Sequence, residues 1–144
     1  MHNNVFPADL FSFLSTLILI ARQQKHQTVI ALMNNSDFHI KIEDDSIVLL
    51  KEESLAISFR VSEIESIKVY KRDLVTEDLI CMEFTTENSS YELNEEMKGW
   101  DDFVKALPDV LKNCDLVEKW FPKVTQTPFE TDEIEIYSSN KLAL

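Results

Sequence analysis

The chain has 144 residues, with 14 Lys+Arg against 26 Asp+Glu, and a formal net charge of −12. That length supports one domain with an ordinary core, and 44% hydrophobic residues exclude a disordered acidic tail. An acidic chain is repelled by phosphate backbones and anionic lipid, so nucleic acid is not an expected partner. The single glycine, Gly99, excludes a dinucleotide fingerprint, a P-loop and a nucleophile elbow, each of which needs several.

The charge is uneven: residues 1–42 carry a net +1, and the remainder carries −13. The apolar run LFSFLSTLILIA (10–21) lies in the first segment. Its stripe Leu10, Phe13, Leu14, Leu17, Ile18, Ala21 has helical spacing, and Pro7 suits a helix start. Twelve apolar residues are too few to span a bilayer, which takes about 18 or more. Three readings stay open: a core or interface helix, a shallow membrane anchor with Arg22, Lys25 and His26 at the headgroups, or a segment outside the folded unit. On the third reading Met33 would be the native start. Residues 1–36 are therefore set apart from a domain over 37–137, with 138–144 as a frayed tail.

From Phe38 the hydrophobic period changes from 3.6 to 2. FHIKIE (38–43), IVLLK (47–51) and LAISFRV (55–61) read as strands of an antiparallel meander on tight polar turns. In the third, Leu55, Ile57, Phe59 and Val61 are expected inward. SEIESI (62–67) breaks the alternation and suits one helical turn or a bulge. IKVYK (67–71) resumes as a strand with Ile67 and Val69 inward. RDLVTED (72–78) is a polar connection. LICMEFTT (79–86) is a strand with Ile80, Met82 and Phe84 on one face, and YEL (91–93) is a short one.

GWDDFVKALPDVLK (99–112) then places Trp100, Phe103, Val104, Leu107 and Leu111 on one helical stripe. Asp101 and Asp102 favour its first turn through the macrodipole. Pro108 predicts a kink there, or an end at Leu107. Beyond lie a short WF stretch (120–121) and KVTQTPF (123–129), which reads as irregular, and EIEIY (133–137) reads as a last strand. Cys81 and Cys114 have no zinc-type spacing and read as reduced core thiols, which fits a reducing compartment such as the cytoplasm. The sum is an α+β fold: a curved antiparallel sheet of six to seven strands capped by a C-terminal amphipathic helix, a pleckstrin-homology-like (PH-like) arrangement, plus the N-terminal apolar helix.

Three blocks carry a resemblance: IKVYKRDLVTEDLICMEF (67–84), ELNEEMKGWDDFVKALP (92–108) and WFPKV with PF (120–129). Together they resemble a family of small bacterial proteins of uncharacterised function. The matching positions include Tyr70, Lys71, Asp73, Thr76, Asp78, Phe84, Gly99, Trp100 and Trp120, within about residues 38–137. The resemblance implies a PH-like fold and a place among immunity or accessory proteins near toxin genes. It brings no catalytic residues.

No residue pattern marks a catalytic set or a metal site, and no cofactor is expected. His2, His26 and His39 have no triad partner in sequence. Glu77, Asp78 and Glu83 lack the spacing of a nuclease or calcium loop and read as a solvated face. Tyr70, Lys71, Arg72, Asp73 and Asp78 are the candidate binding residues. They form either a turn organised by Asp73 and Thr76, with Lys71 or Arg72 paired to Asp73 or Asp78, or a rim site where Arg72 grips an anion or a partner carboxylate. Trp100, Phe84 and Gly99 read as structural. The expected role is non-enzymatic protein binding, such as an acidic inhibitor of a cationic toxin. A membrane-associated protein anchored by 10–21 is the alternative, and a small enzyme the least supported one.

Overall fold

The computed structural model describes residues 37–126 and 132–140. The expected N-terminal helix, the Met33 start and the choice among the three readings of residues 10–21 lie outside those residues.

Strands β1 (Phe38–Glu43), β2 (Ser46–Lys51) and β3 (Ser54–Arg60) form a meander in which Ile40 faces Leu49 and Leu49 faces Ile57. Each hairpin closes through two acidic residues with positive φ: Asp44 (48°) and Asp45 (59°), then Glu52 (51°) and Glu53 (65°). Two consecutive positive φ angles make a type I′ turn, whose twist matches the strands it joins. The expected inward set in β3 needs one correction. Leu50 pairs with Leu55 while Leu49 pairs with Ile57, so Ala56 is an inserted residue. This bulge shifts the side-chain phase. Leu55 leaves the core face and is 66% exposed.

A single 3-10 turn (Val61–Glu63) leads into β4 (Ile64–Asp73), and a bulge follows at Glu65, so the break in alternation takes both expected forms. β4, β5 (Asp78–Thr86), β6 (Ser90–Asn94) and β7 (Ile134–Ser138) form a second antiparallel sheet in the order β6-β5-β4-β7. The strands thus number seven among the described residues and divide into sheets of three and four. Ser138, expected in a frayed tail, pairs with Ser66.

Helix α1 (Trp100–Val110) runs through Pro108 instead of ending at Leu107. A second helix, α2 (Val117–Thr125), was not expected, and its last residues, 123–125, begin the stretch read as irregular. Its stripe Val117, Trp120, Val124 buries Trp120 and Val124 in the core and lies against β4 and β7. Pro122 sits inside this helix.

The two sheets share one core. Ile40, Ile47 and Leu49 of the first and Ile67, Val69, Met82, Phe84 and Leu93 of the second are almost fully buried. An aromatic series crosses between them. Phe59 stacks on Tyr91 at 4.2 Å and meets Phe84 at 5.7 Å, Phe84 meets Phe103 at 5.9 Å, and Phe103 meets Trp100 at 6.4 Å. Backbone bonds also tie β1 to the connection between β6 and α1. The Ile40 amide donates to the Lys98 carbonyl at 2.8 Å, and the Lys98 amide to the Phe38 carbonyl at 3.0 Å. Gly99 follows in the left-handed region (φ 85°), and a Cβ there would stand 2.5 Å from the Ile40 carbonyl oxygen. Only glycine turns the chain into α1 at this approach.

Candidate functional site

Alternation along β4 separates the candidate residues. Tyr70 and Arg72 project from the face of the four-stranded sheet opposite to Ile67 and Val69, and both are half-buried. Lys71 lies on the same side as Ile67 and Val69, and is 6% exposed. Lys71 pairs with Asp78 at 3.2 Å. Arg72 Nη2 meets Glu92 Oε2 on β6 at 2.6 Å, and the Tyr70 hydroxyl donates to that same oxygen. Glu92 is only 3% exposed, and its other oxygen accepts no hydrogen bond among the described residues. The Tyr70 phenol is held well above its ordinary pKa, first by burial and then by its bond to the Glu92 carboxylate. It is therefore a fixed donor. Cys81, opposite Tyr70 on β5, is pushed up to about 12 by burial and by the negative charge of Glu92.

The following residues build the tip of the β4–β5 hairpin. Asp73 Oδ1 accepts the Val75 amide at 3.0 Å, an Asx-type turn. The Leu74 amide donates to the Glu77 carbonyl at 2.9 Å, and the Thr76 hydroxyl to the Leu74 carbonyl at 3.3 Å. Held in this way, Val75 has φ 60° and is 98% exposed, and Leu74 beside it is 39% exposed. Asp73, Glu77 and Asp78 surround them, all exposed. A β-branched residue in the left-handed region is an outlier, and full exposure gives it no packing in return.

Of the three residues expected to be structural, Phe84 and Trp100 are buried in the core, and Gly99 is exposed and caps the start of α1. His39 is exposed on β1, while His2 and His26 lie outside the described residues. Among the described residues no three His, Cys, Asp or Glu side chains converge as metal ligands, and no helix is long and apolar enough to cross a membrane.

Sequence reasoning missed two participants. Glu92 carries no local mark, because its burial arises only when β5 brings β4 and β6 to either side of it. Val75 did leave a mark: an apolar Leu-Val pair at the centre of a polar connection. Comparison of the chain with family models, curated proteins and solved structures finds no match.

Proposed function

We propose that this chain is a non-enzymatic protein-binding module that presents the Leu74-Val75 hairpin tip to a cationic protein. The observation that carries the reading is the conformation of Val75. Its backbone strain and its exposed side chain both weigh against the free protein. Burial in a partner's pocket would return about 1.5–3 kcal/mol for a valine side chain. The acidic rim of Asp73, Glu77 and Asp78 favours a pocket edged by Lys or Arg, and the net charge of −12 speeds encounter with such a surface.

We read the packed antiparallel sheets followed by α1 as a PH-like arrangement, in line with the motif resemblance over 38–137. β7 departs from that plan by following the helices. On this reading the role is that of an immunity-type inhibitor of a basic bacterial toxin, acting in the cytoplasm.

The test is affinity capture with the full chain and with a Leu74→Asp/Val75→Asp variant, at low and high salt. The expected result is a basic protein held by the parent chain at low salt, released as salt rises, and absent from the variant. Equal retention by both baits, or association indifferent to salt, would reject the proposal.

A further inference from the structure

A second feature lies away from the hairpin tip. The β1–β2 turn, the 3-10 turn, the end of α1 and β7 enclose a cleft of about 750 Å³. Its apolar wall is Val61, Val110 and Leu111, and its donors are Arg60, Lys112 and Tyr137. In a chain of charge −12, Arg60 and Lys112 form no side-chain ion pair among the described residues. The Tyr137 hydroxyl likewise has no hydrogen-bond partner there, although the residue is 6% exposed. Burial raises the Tyr137 phenol above its ordinary pKa, so it stays protonated as a donor at neutral pH.

We infer that this cleft binds a monocarboxylate carrying an apolar body. The volume falls within the ordinary range for small-ligand sites, about 300–1,000 Å³, and such sites combine an apolar lining with a few placed polar groups. Three donors without acceptors among the described residues match the needs of one carboxylate, and the guanidinium can grip it with two parallel bonds. The branched wall takes the apolar body. Asp44 and Asp45 line the same cleft and balance the two cations, so a phosphate-rich ligand meets no net positive field. A single carboxylate needs only the local donors. Two sources share this chemistry: a free N-acylated amino acid and the C-terminus of a peptide.

The test is an amide-resolved NMR titration of the full chain with N-acetyl-leucine, with N-acetyl-leucinamide, and with a hexapeptide ending in leucine, as free acid or as amide. The expected result is shifts centred on Val61, Val110 and Leu111, with each carboxylate at least about tenfold tighter than its amide, as a charge-assisted bond requires. Arg60→Gln and Lys112→Gln should each weaken the carboxylate by roughly threefold or more and leave the amide unchanged. These variants alter exposed side chains, and an unchanged spectrum elsewhere verifies that they fold. Tighter binding of the peptide acid than of N-acetyl-leucine identifies a chain terminus as the source, and the reverse identifies a free acid. Equal affinity for acid and amide, shifts centred elsewhere, or no shifts at millimolar ligand would overturn the inference. Neither result bears on the hairpin tip, so the two proposals fail separately.

Discussion

Arg72 on β4 reaches Glu92 on β6 at 2.6 Å, across the strand that lies between them. Glu92 is 3% exposed, and Tyr70 shares its Oε2. A buried carboxylate that loses its cation is strongly destabilising, by about 3–5 kcal/mol. Arg72→Met should therefore lower unfolding free energy by about 3 kcal/mol, at the lower end because the Arg72 side chain is 34% exposed. Tyr70→Phe should cost about 1–3 kcal/mol. Arg72→Met combined with Glu92→Gln should recover part of the loss. Urea denaturation of the parent chain, Arg72→Met, Glu92→Gln and the double variant measures the coupling, and additive losses would show that the contact contributes nothing.

Gly99 and the Ile40 carbonyl set a second expectation. A Cβ at Gly99 would stand 2.5 Å from that oxygen, at a φ of 85°. The oxygen cannot retreat easily, because the Ile40 amide is bonded to Lys98. Gly99→Ala should destabilise by more than about 1 kcal/mol. The same change at an open left-handed position would cost only the backbone strain. A melting temperature equal to that of the parent protein would contradict this account of the close approach at Gly99.

The two type I′ turns can be improved. Glu tolerates the left-handed region less well than Asp or Asn, whose short side chains bond locally. Glu52→Asn with Glu53→Gly installs the preferred Asn-Gly pair. It should stabilise by about 1 kcal/mol, or about 4 °C or more in melting temperature for a unit of this size. Asp44→Asn with Asp45→Gly should give a smaller gain. Thermal melts of the two variants compare them directly, and a larger gain at the aspartate turn would refute the strain argument.

Most of the strand plan was legible because a period of 2 is a local property. Ile67 and Val69, or Ile80, Met82 and Phe84, declare their face within a few residues. The misreadings came where a local rule was overridden. The bulge at Ala56 turned Leu55 outward, and its only trace is the pairing with β2. Helix α2 went unread, although Val117, Trp120 and Val124 already had helical spacing. The candidate block was legible as a turn organised by Asp73, but not as a division of labour. Tyr70 and Arg72 depend on Glu92, some 20 residues away, and no property of Glu92 in sequence distinguishes it from the other acids.

Both thiols are protected by burial. Cys81 and Cys114 are pushed from 9.0 up to about 12, chiefly by desolvation. At pH 8 about one molecule in 10⁴ carries a thiolate at either site, so neither should react with dithionitrobenzoate in the native state. Both should react after unfolding. The same shifts set an alkaline limit. The unfolded chain releases these protons from about pH 9, and the native chain holds them to about pH 12. Between those values the unfolded state binds fewer protons, so stability falls as pH rises. The raised phenol of Tyr70 acts in the same direction above pH 10. Denaturation midpoints at pH 7 and pH 10 should differ accordingly, and Cys114→Ala should flatten the decline. A midpoint that does not fall between those pH values would show that burial does not hold the protons.

Val75 gives the clearest separation of stability from role. At φ 60° and 98% exposed, it contributes strain and buries nothing. Asn adopts the left-handed region at lower cost and can bond to its own turn. Val75→Asn should therefore raise unfolding free energy by about 1 kcal/mol, because no packing is lost and the Asp73 bond to the position 75 amide is kept. Chemical denaturation measures this without any partner. Loss of stability would mean that Val75 packs against something in the free chain, and the hairpin tip would then lose its standing as an interaction surface. A gain means that the native sequence holds a less stable residue at the most exposed point of the hairpin. That combination is the one expected where a side chain is kept for what it meets outside the fold.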